Sequence, residues 1–229
     1  MGKERARIAQ SVVLAGLLLL SACQSAHSSV FSDECGPPCW RGIRPGSTHM
    51  QEALDVAGRF PDLGESGIET TRGSWYIFSR YMEFKLRSGE TVDIYMIDDV
   101  VALIIFFKPK GIATLGSCAA AFGSPDYAAE STVLGPGLPF LPASDRYHTW
   151  FYGIYPSRGI VFGYDSSSAW FGEDLSLHSN TIISDIRFFD VKEYNELLRG
   201  GFLIYAEHGF SQDKLHPWKG YGDIHKLYP

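Results

Sequence analysis

The alternation of apolar and polar residues along this chain predicts an antiparallel sheet built from two successive groups of strands. In the first group, residues 82–86 and 92–96 alternate with a period of two, which is typical of strands with one buried face. Residues 100–107 are continuously apolar and rich in β-branched side chains, which indicates a buried central strand. The apolar positions of the two alternating strands are Met82, Phe84, Leu86, Val92, Ile94 and Met96.

A helix is predicted before each group of strands. Residues 48–60 place apolar side chains on one helix face, and Thr48 with Gln51 has the spacing of a capping box. Residues 114–122 repeat the helical spacing and are followed by Gly123. The chain therefore alternates a short helix with a run of strands.

The second group of strands is followed by a third predicted helix. That helix covers 190–198, with Asp190 and Glu193 as its capping box, and 202–206 is predicted to be a last strand. The strands of the second group are predicted at 147–152, 159–164 and 181–189. Two long segments rich in Gly, Ser and Pro, at 129–145 and 165–180, are predicted to be loops.

The two groups end in similar segments, Ile-Ile-Phe-Phe at 104–107 and Ile-Arg-Phe-Phe at 186–189. Similar endings about 80 residues apart indicate a duplicated unit. We therefore predict an α+β fold of two tandem units, each a helix plus an antiparallel β-meander, with the helices packed on one side of the sheet. The predicted organisation is a signal peptide at 1–22, a tether at 23–34, a first unit at 35–110, a second unit with the third helix at 111–206 and an irregular C-terminal tail at 207–229.

The amino-terminal segment has the pattern of a secretory signal. Lys3, Arg5 and Arg7 precede an apolar run over 8–20, and small residues follow it. The 15 residues over 8–22 fall short of the ~20 that a transmembrane helix needs. The segment closes with Leu-Ser-Ala-Cys at 20–23, which resembles the lipobox of bacterial lipoproteins.

This resemblance implies that Cys23 is acylated on its thiol and becomes the first residue of the mature protein. More than one acyl chain at a residue is sufficient for stable membrane anchoring. Cleavage of the 229-residue chain before Cys23 would leave 207 residues, and the formal charge would change from −6 to −8 because the signal holds three basic residues and one acidic residue. A chain with this acidic balance is not expected to bind nucleic acid.

Three cysteines remain once Cys23 is assigned to lipid. In the oxidising compartment to which a secretory signal leads, disulfides persist. Cys35 and Cys39 are predicted to form a structural bridge, and the alternative is that one of them pairs with Cys118. The Cys-Gly-Pro-Pro-Cys segment is one residue longer than the redox motif of thioredoxins. Cys118 falls on the apolar stripe of a predicted helix, which favours a buried free thiol.

The segment over 39–48 has the form C-W-x-G-I-x-P-G-x-T and resembles the opening of a group of uncharacterised bacterial lipoproteins. The second unit, from Leu115 through Gly-Ser-Pro at 123–125, resembles outer-membrane assembly lipoproteins of the BamE (SmpA/OmlA) type, and also the tandem helix-plus-sheet units of β-lactamase inhibitor proteins. The likeness covers about residues 35 to 198. The likeness implies a helix-plus-sheet fold and a location in the cell envelope, since the motifs that carry it are structural.

No motif of a known catalytic or metal site is found in the sequence. It contains no H-E-x-x-H, no G-x-S-x-G and no P-loop. Ser211 and Lys214 match S-x-x-K by chance, in a polar tail, and the spacing of His208, His216 and His225 fits neither a helix face nor a metal loop. We therefore expect no catalytic residue, no metal and no cofactor.

The remaining functional candidate is an aromatic surface on the sheet. Trp75, Tyr81, Trp150 and Tyr152 occupy the alternation opposite to the predicted core, and an exposed row of such residues is typical of a docking face. The alternative is that the sheet is covered on both faces. We expect a membrane lipoprotein, lipid-anchored and extracytoplasmic, that has a non-enzymatic binding or scaffolding role toward an envelope protein. The alternative function is an envelope enzyme or enzyme inhibitor that uses the segments 129–145 and 165–180.

Overall fold

A computed structural model of the chain describes residues 35–75, 77–107, 113–134, 147–165, 176–204 and 210–228. The predicted signal peptide, the tether and Cys23 lie outside these ranges. Within the ranges described, no helix has the length and apolar composition needed to cross a membrane.

The described chain consists of short helices and antiparallel strands. The helices are α1 (Met50–Ala57), α2 (Leu115–Phe122), α3 (Tyr194–Arg199) and α4 (Ile224–Leu227), and single 3₁₀ turns occur at Pro156–Arg158, Val191–Glu193 and Gln212–Lys214. The strands are β1 (Leu63–Trp75), β2 (Phe78–Leu86), β3 (Thr91–Ile97), β4 (Val100–Phe107), β5 (Tyr127–Leu134), β6 (Tyr147–Tyr155), β7 (Ile160–Asp165), β8 (Ser176–Leu177), β9 (Asp185–Phe189), β10 (His216–Pro217) and β11 (Gly222–Asp223).

Nine of these strands form one sheet in the order β1-β2-β3-β4-β9-β7-β6-β5-β10, and every neighbouring pair is antiparallel. Strands β8 and β11 pair separately. The centre of the large sheet is the β4–β9 pair, in which Ile105 lies opposite Arg187. The two similar segments of the sequence are therefore hydrogen-bonded neighbours.

The prediction of a mixed fold with a mostly antiparallel sheet and a few short helices is confirmed. Strands β2, β3 and β4 follow the predicted alternation and the predicted turns. Besides the two-residue strands β8, β10 and β11, which lie in the predicted loop 165–180 and in the predicted irregular tail, two longer strands were not predicted, β1 and β5, and β5 occupies the first part of the segment 129–145 that was predicted to be a loop. Both lie at or next to an edge of the sheet, where a strand needs less apolar character because one side lacks a full neighbour.

The capping box predicted with Thr48 is wrong, whereas Asp190 is an N-cap as predicted, with Lys192 in place of Glu193 as the residue that it caps. The Oγ1 of Thr48 accepts a hydrogen bond from the backbone N–H of Arg44 at 2.8 Å, and α1 begins after His49 without a side-chain cap. The Asp190 side chain accepts from the backbone N–H of Lys192, which starts a 3₁₀ turn before α3. Thr114, in contrast, caps α2 through a reciprocal pair of hydrogen bonds with Ser117.

The predicted strand at 202–206 is also wrong over its described part, because residues 201–204 form a turn. The N–H of Phe202 donates to the carbonyl of Leu197 at 2.9 Å, which folds the chain back over the end of α3. This turn satisfies carbonyl groups that the helix end would otherwise leave without partners.

We call the side of the sheet that bears Met82 and Phe84 the first face. Helices α1 and α2 pack on it, together with Trp40 from the chain before α1. The indole of Trp40 is completely buried and its ring centroid lies 4.9 to 5.8 Å from those of Phe60, Phe84 and Phe106. The C-W-x-G-I opening is therefore a core element, since backbone hydrogen bonds also pair Trp40 with Ile43.

The opposite side, the second face, is covered in part by α3 and the turn that follows it. Leu197, Leu198, Leu203 and Ile204 are completely buried against central strands such as β4, whose Leu103 points to this side. The prediction that the helices lie on one side of the sheet is thus wrong for α3. The physical reason is that the central strands are apolar on both faces and need cover on both.

Candidate binding site on the second face of the sheet

Strands β2 and β3 place four polar side chains side by side on the second face. In the register of this pair, Tyr81 lies opposite Tyr95 and Glu83 lies opposite Asp93. The alternation that buries Met82 on the first face directs its neighbours Tyr81 and Glu83 to the second. We call Tyr81, Glu83, Asp93 and Tyr95 the carboxylate–tyrosine cluster.

Within the carboxylate–tyrosine cluster, each tyrosine hydroxyl donates a hydrogen bond to the carboxylate on its own strand. The Tyr81 hydroxyl is 2.6 Å from Glu83 Oε2, and the Tyr95 hydroxyl is 3.4 Å from Asp93 Oδ2. The two tyrosine ring centroids are 5.0 Å apart. Burial, together with the adjacent carboxylates, raises the pKa of both phenols, so both hydroxyls stay protonated and act as donors at neutral pH.

Asp93 is the most buried member of the cluster, with 7% of its surface exposed. Its Oδ1 is shielded from solvent and has no hydrogen-bond partner in the described structure. The pKa of the Asp93 carboxyl is raised to about 6, chiefly by burial and in smaller part by the charge of Glu83, while hydrogen bonds from Tyr81 and Tyr95 act in the opposite direction. An acidic group is thus held where its charge is costly.

A separate ion pair lies beside the cluster on the same face. Asp185 and Arg187 are 1% and 5% exposed, and Arg187 Nε donates to Asp185 Oδ1 at 2.7 Å. Arg187 also donates to the carbonyl of Phe202 at 2.6 Å, and its guanidinium lies 5.2 Å from the ring centroid of Tyr152. The charge of Arg187 is therefore engaged with Asp185 and with the turn after α3.

Gly163 gives Asp185 the space that this arrangement requires. A Cβ at position 163 would overlap with Asp185 Oδ2, because the two atoms would be closer than real contacts allow. Gly163 is the cross-strand neighbour of Asp185 in the β7–β9 pair. The sequence thus contains a small residue at the position that faces the buried carboxylate.

The predicted aromatic surface is only partly present. Tyr81 and Trp150 are half-buried, and the side chain of Trp75 lies outside the described residues. The prediction is wrong for Tyr152, which is completely buried beneath the Arg187 guanidinium and belongs to the core of the second face. The alternative, a sheet covered on both faces, is correct around Tyr152.

Sequence reasoning missed Glu83 and Asp93 as site residues. Charged positions that alternate with apolar ones were interpreted as the solvated side of a strand, which is the common case. The signal that could have found them is the short turn after β2, since it sets the register that places the two carboxylates opposite each other.

Cys35 and Cys39 form a disulfide, in agreement with the predicted pairing. Cys118 is a free thiol on α2, and burial raises its pKa to about 12. A protonated, buried thiol is a packing residue at neutral pH.

The described chain has a surface cavity of about 660 Å³ apart from the cluster, next to the disulfide. Its polar wall contains Arg41, whose guanidinium makes two hydrogen bonds of 2.6 and 2.7 Å to Asp62 and lies over the rings of Trp40 and Phe60. Arg41 therefore bridges elements of the fold. Over the described ranges, no three His, Cys, Asp or Glu side chains are close enough together to hold a metal ion.

Comparison with known proteins finds no matching family model, no matching curated protein and no matching solved structure.

Proposed function

We propose that this protein is a lipid-anchored, extracytoplasmic bacterial lipoprotein that binds an envelope protein without catalysing a reaction. The anchor is Cys23, acylated after removal of residues 1–22. The observation that most supports binding is the carboxylate–tyrosine cluster, in which a buried carboxylate oxygen of Asp93 has no partner among the described residues. A buried acidic group in such a costly state is a candidate for ligand binding, because a cationic ligand would compensate its charge.

The Cys35–Cys39 disulfide supports export. Disulfides form and persist in oxidising compartments and are rare in the cytosol. The bridge lies at the start of the described body, shortly after the lipobox cysteine, so residues 23–34 would serve as the tether between lipid and domain.

We further propose that the sheet consists of two tandem helix-plus-meander units. In each, the residue just before the helix forms a bridge with a residue at the start of the last strand or shortly before it, namely His49 with Val100 and Thr114 with Ile182. The last strands of the two units, β4 and β9, meet at the centre of the sheet. Duplication of one unit followed by edge-to-edge pairing explains this arrangement, and it supports the resemblance to tandem envelope proteins.

An envelope enzyme is the second candidate, and one observation favours it. The pKa of Asp93, at about 6, is in the range that a general acid or base needs at neutral pH. Binding is preferred because the cluster combines carboxylates with phenols that already donate to them, which is an acceptor site for a cationic group.

The proposed function is tested by labelling and crosslinking in the native envelope. Cells fed an alkyne-labelled palmitate should label the wild-type protein and the Cys118→Ala control, but not Cys23→Ala. Chemical crosslinking of the anchored protein should then give a reproducible adduct with one envelope protein. Labelling of Cys23→Ala would contradict the anchor, and turnover of a substrate that Asp93→Asn abolishes would favour the enzyme.

A further inference from the structure

The carboxylate–tyrosine cluster has an excess of negative charge that the described chain does not neutralise. Glu83 and Asp93 are direct cross-strand neighbours, and like charges in that position repel each other. On the same face, Lys85 is exposed and makes no ion pair with either carboxylate. Arg187 is two strands away from Asp93 and is bonded to Asp185.

The cluster also has more acceptors than donors. Two carboxylates offer four oxygens, whereas the hydrogen bonds within the cluster come from the two tyrosine hydroxyls. The unpartnered Oδ1 of Asp93 is the most costly of these acceptors, because an unsatisfied buried group keeps its full desolvation penalty. A ligand for this site must therefore bring several N–H donors and a positive charge.

An organic cation fits these requirements better than a metal ion. A hard cation such as Ca²⁺ takes six to eight oxygen ligands, and a third carboxylate or imidazole is not found near the two carboxylates in the described structure. The tyrosine rings of Tyr81 and Tyr95 add aromatic surface, which attracts a flat guanidinium. Guanidinium also bonds to carboxylates in pairs of parallel hydrogen bonds, which a lysine ammonium does not do.

We propose that the carboxylate–tyrosine cluster binds an arginine side chain of the envelope protein partner. This inference rests on the proposed function for the partner, and on Glu83, Asp93 and the two tyrosines for the chemistry. The guanidinium donates to Glu83 and to Asp93, neutralises their mutual repulsion and packs against the rings of Tyr81 and Tyr95. Tyr81, Glu83 and Tyr95 are half-buried, so the cluster is in part exposed to solvent.

The test uses the mature lipidated protein in detergent micelles, with ¹³C-labelled Asp and Glu carboxyl groups observed by NMR. The probe is a short acetylated peptide with one central arginine, and the matched control peptide has citrulline at that position, which has nearly the same shape and no charge. We expect the arginine peptide to move the Asp93 and Glu83 carboxyl signals saturably and to lower the apparent pKa of Asp93. The citrulline peptide should leave both signals in place.

Substitutions then locate the site. Glu83→Gln should weaken binding of the arginine peptide about tenfold or more, because it removes one charge-assisted hydrogen bond and keeps the shape. Glu52→Gln, at an exposed position on α1, should bind as the wild type does. If Glu83→Gln does not fold, Tyr81→Phe removes a single hydroxyl of the cluster and should also weaken binding.

Three results would overturn the inference. The first is that the arginine and citrulline peptides move the carboxyl signals equally. The second is that the arginine peptide does not move the Asp93 signal although that signal titrates normally with pH. The third is that a lysine peptide binds as tightly as the arginine peptide. The titration uses a peptide and contains no envelope partner. A negative result would therefore contradict the arginine site alone, and the lipid anchor and the crosslinked adduct would remain as separate evidence for the proposed function. Conversely, normal arginine binding with no adduct in the envelope would contradict the proposed function alone.

Discussion

Replacing Asp93 with Asn should stabilise the protein at neutral pH while it weakens the proposed binding site. The substitution keeps the shape of the side chain and removes the charge of a residue that is only 7% exposed. The new amide also supplies N–H donors that Asp93 lacks, and Glu83 is its cross-strand neighbour in the β2–β3 pair.

The pKa of Asp93 gives the sign and the size of this effect. Burial raises the pKa from its ordinary value of 3.8 to about 6. Between these pH values the folded protein holds a proton that the unfolded chain has released, so the free energy of unfolding falls as the pH rises. The rise in pKa corresponds to a loss of about 3 kcal/mol in the free energy of unfolding. Because water at the half-buried edge of the cluster screens the charge, we expect Asp93→Asn to raise the free energy of unfolding by about 1.5 kcal/mol.

The assay is urea unfolding of wild type and variant at pH 7.5 and at pH 5. The advantage of Asp93→Asn should be largest at pH 7.5 and should shrink at pH 5, where most wild-type molecules carry the proton on Asp93. The matched control is Asp185→Asn on the same face, which leaves Arg187 buried without its ion-pair partner. The free energy of unfolding of that control should fall by about 3 kcal/mol or more, because the buried charge of Arg187 would no longer be neutralised.

A destabilising Asp93 carboxylate is ruled out if Asp93→Asn is less stable than wild type at pH 7.5, or if the difference in the free energy of unfolding between the two proteins is the same at both pH values. Either result would mean that the Asp93 carboxylate is stabilised by contacts within the fold. The cluster would then be a structural network, and a ligand would not be needed to compensate it.

Three further predictions concern the anchor, the cysteines and the core. Cys23→Ala should move the protein from the membrane fraction to the soluble fraction, and a variant that still sediments with membranes would contradict the lipid anchor. Thiol counting on the denatured, non-reduced mature protein should find one free thiol, Cys118, and a count of three would contradict the Cys35–Cys39 bridge. Trp40→Ala should lower the free energy of unfolding by about 3–5 kcal/mol, because the indole is completely buried, and a loss below 1 kcal/mol by urea unfolding would show that the C-W-x-G-I opening is not a core element.

Periodicity predicted the parts of the fold in which one face of a strand is buried and the other is polar. Strands β2 and β3 have this pattern, and the continuous apolar run of β4 correctly indicated a central position. Strand β1 lacked a readable pattern because its residues are mostly small or polar and β2 is its one neighbour in the sheet. Its Gly64 fits closely against the backbone of Lys85, a contact between distant residues that no local pattern shows.

The candidate site was predictable only in part, because its character depends on long-range packing. The sequence shows that Tyr81 and Glu83 share a face, but the burial of Asp93 depends on how the sheet is covered. Tyr152 illustrates the same limit. Its place in the alternation of apolar and polar residues along β6 predicted an exposed side chain, but the Arg187 guanidinium covers it. Arg187 in turn is held by the turn at Phe202, whose position no pattern in β6 could reveal.

Site-specific photo-crosslinking in the native envelope tests most directly the claim that this protein is an anchored binder that uses the carboxylate–tyrosine cluster. A photoreactive residue would replace Lys85, which is exposed on the second face two residues from Glu83, and in a control it would replace Glu52 on α1. We predict one discrete protein adduct from position 85, none from position 52, and loss of the adduct when Asp93→Asn is added to the position 85 variant. Adducts of equal yield from both positions, or an adduct at position 85 that Asp93→Asn leaves unchanged, would contradict the account.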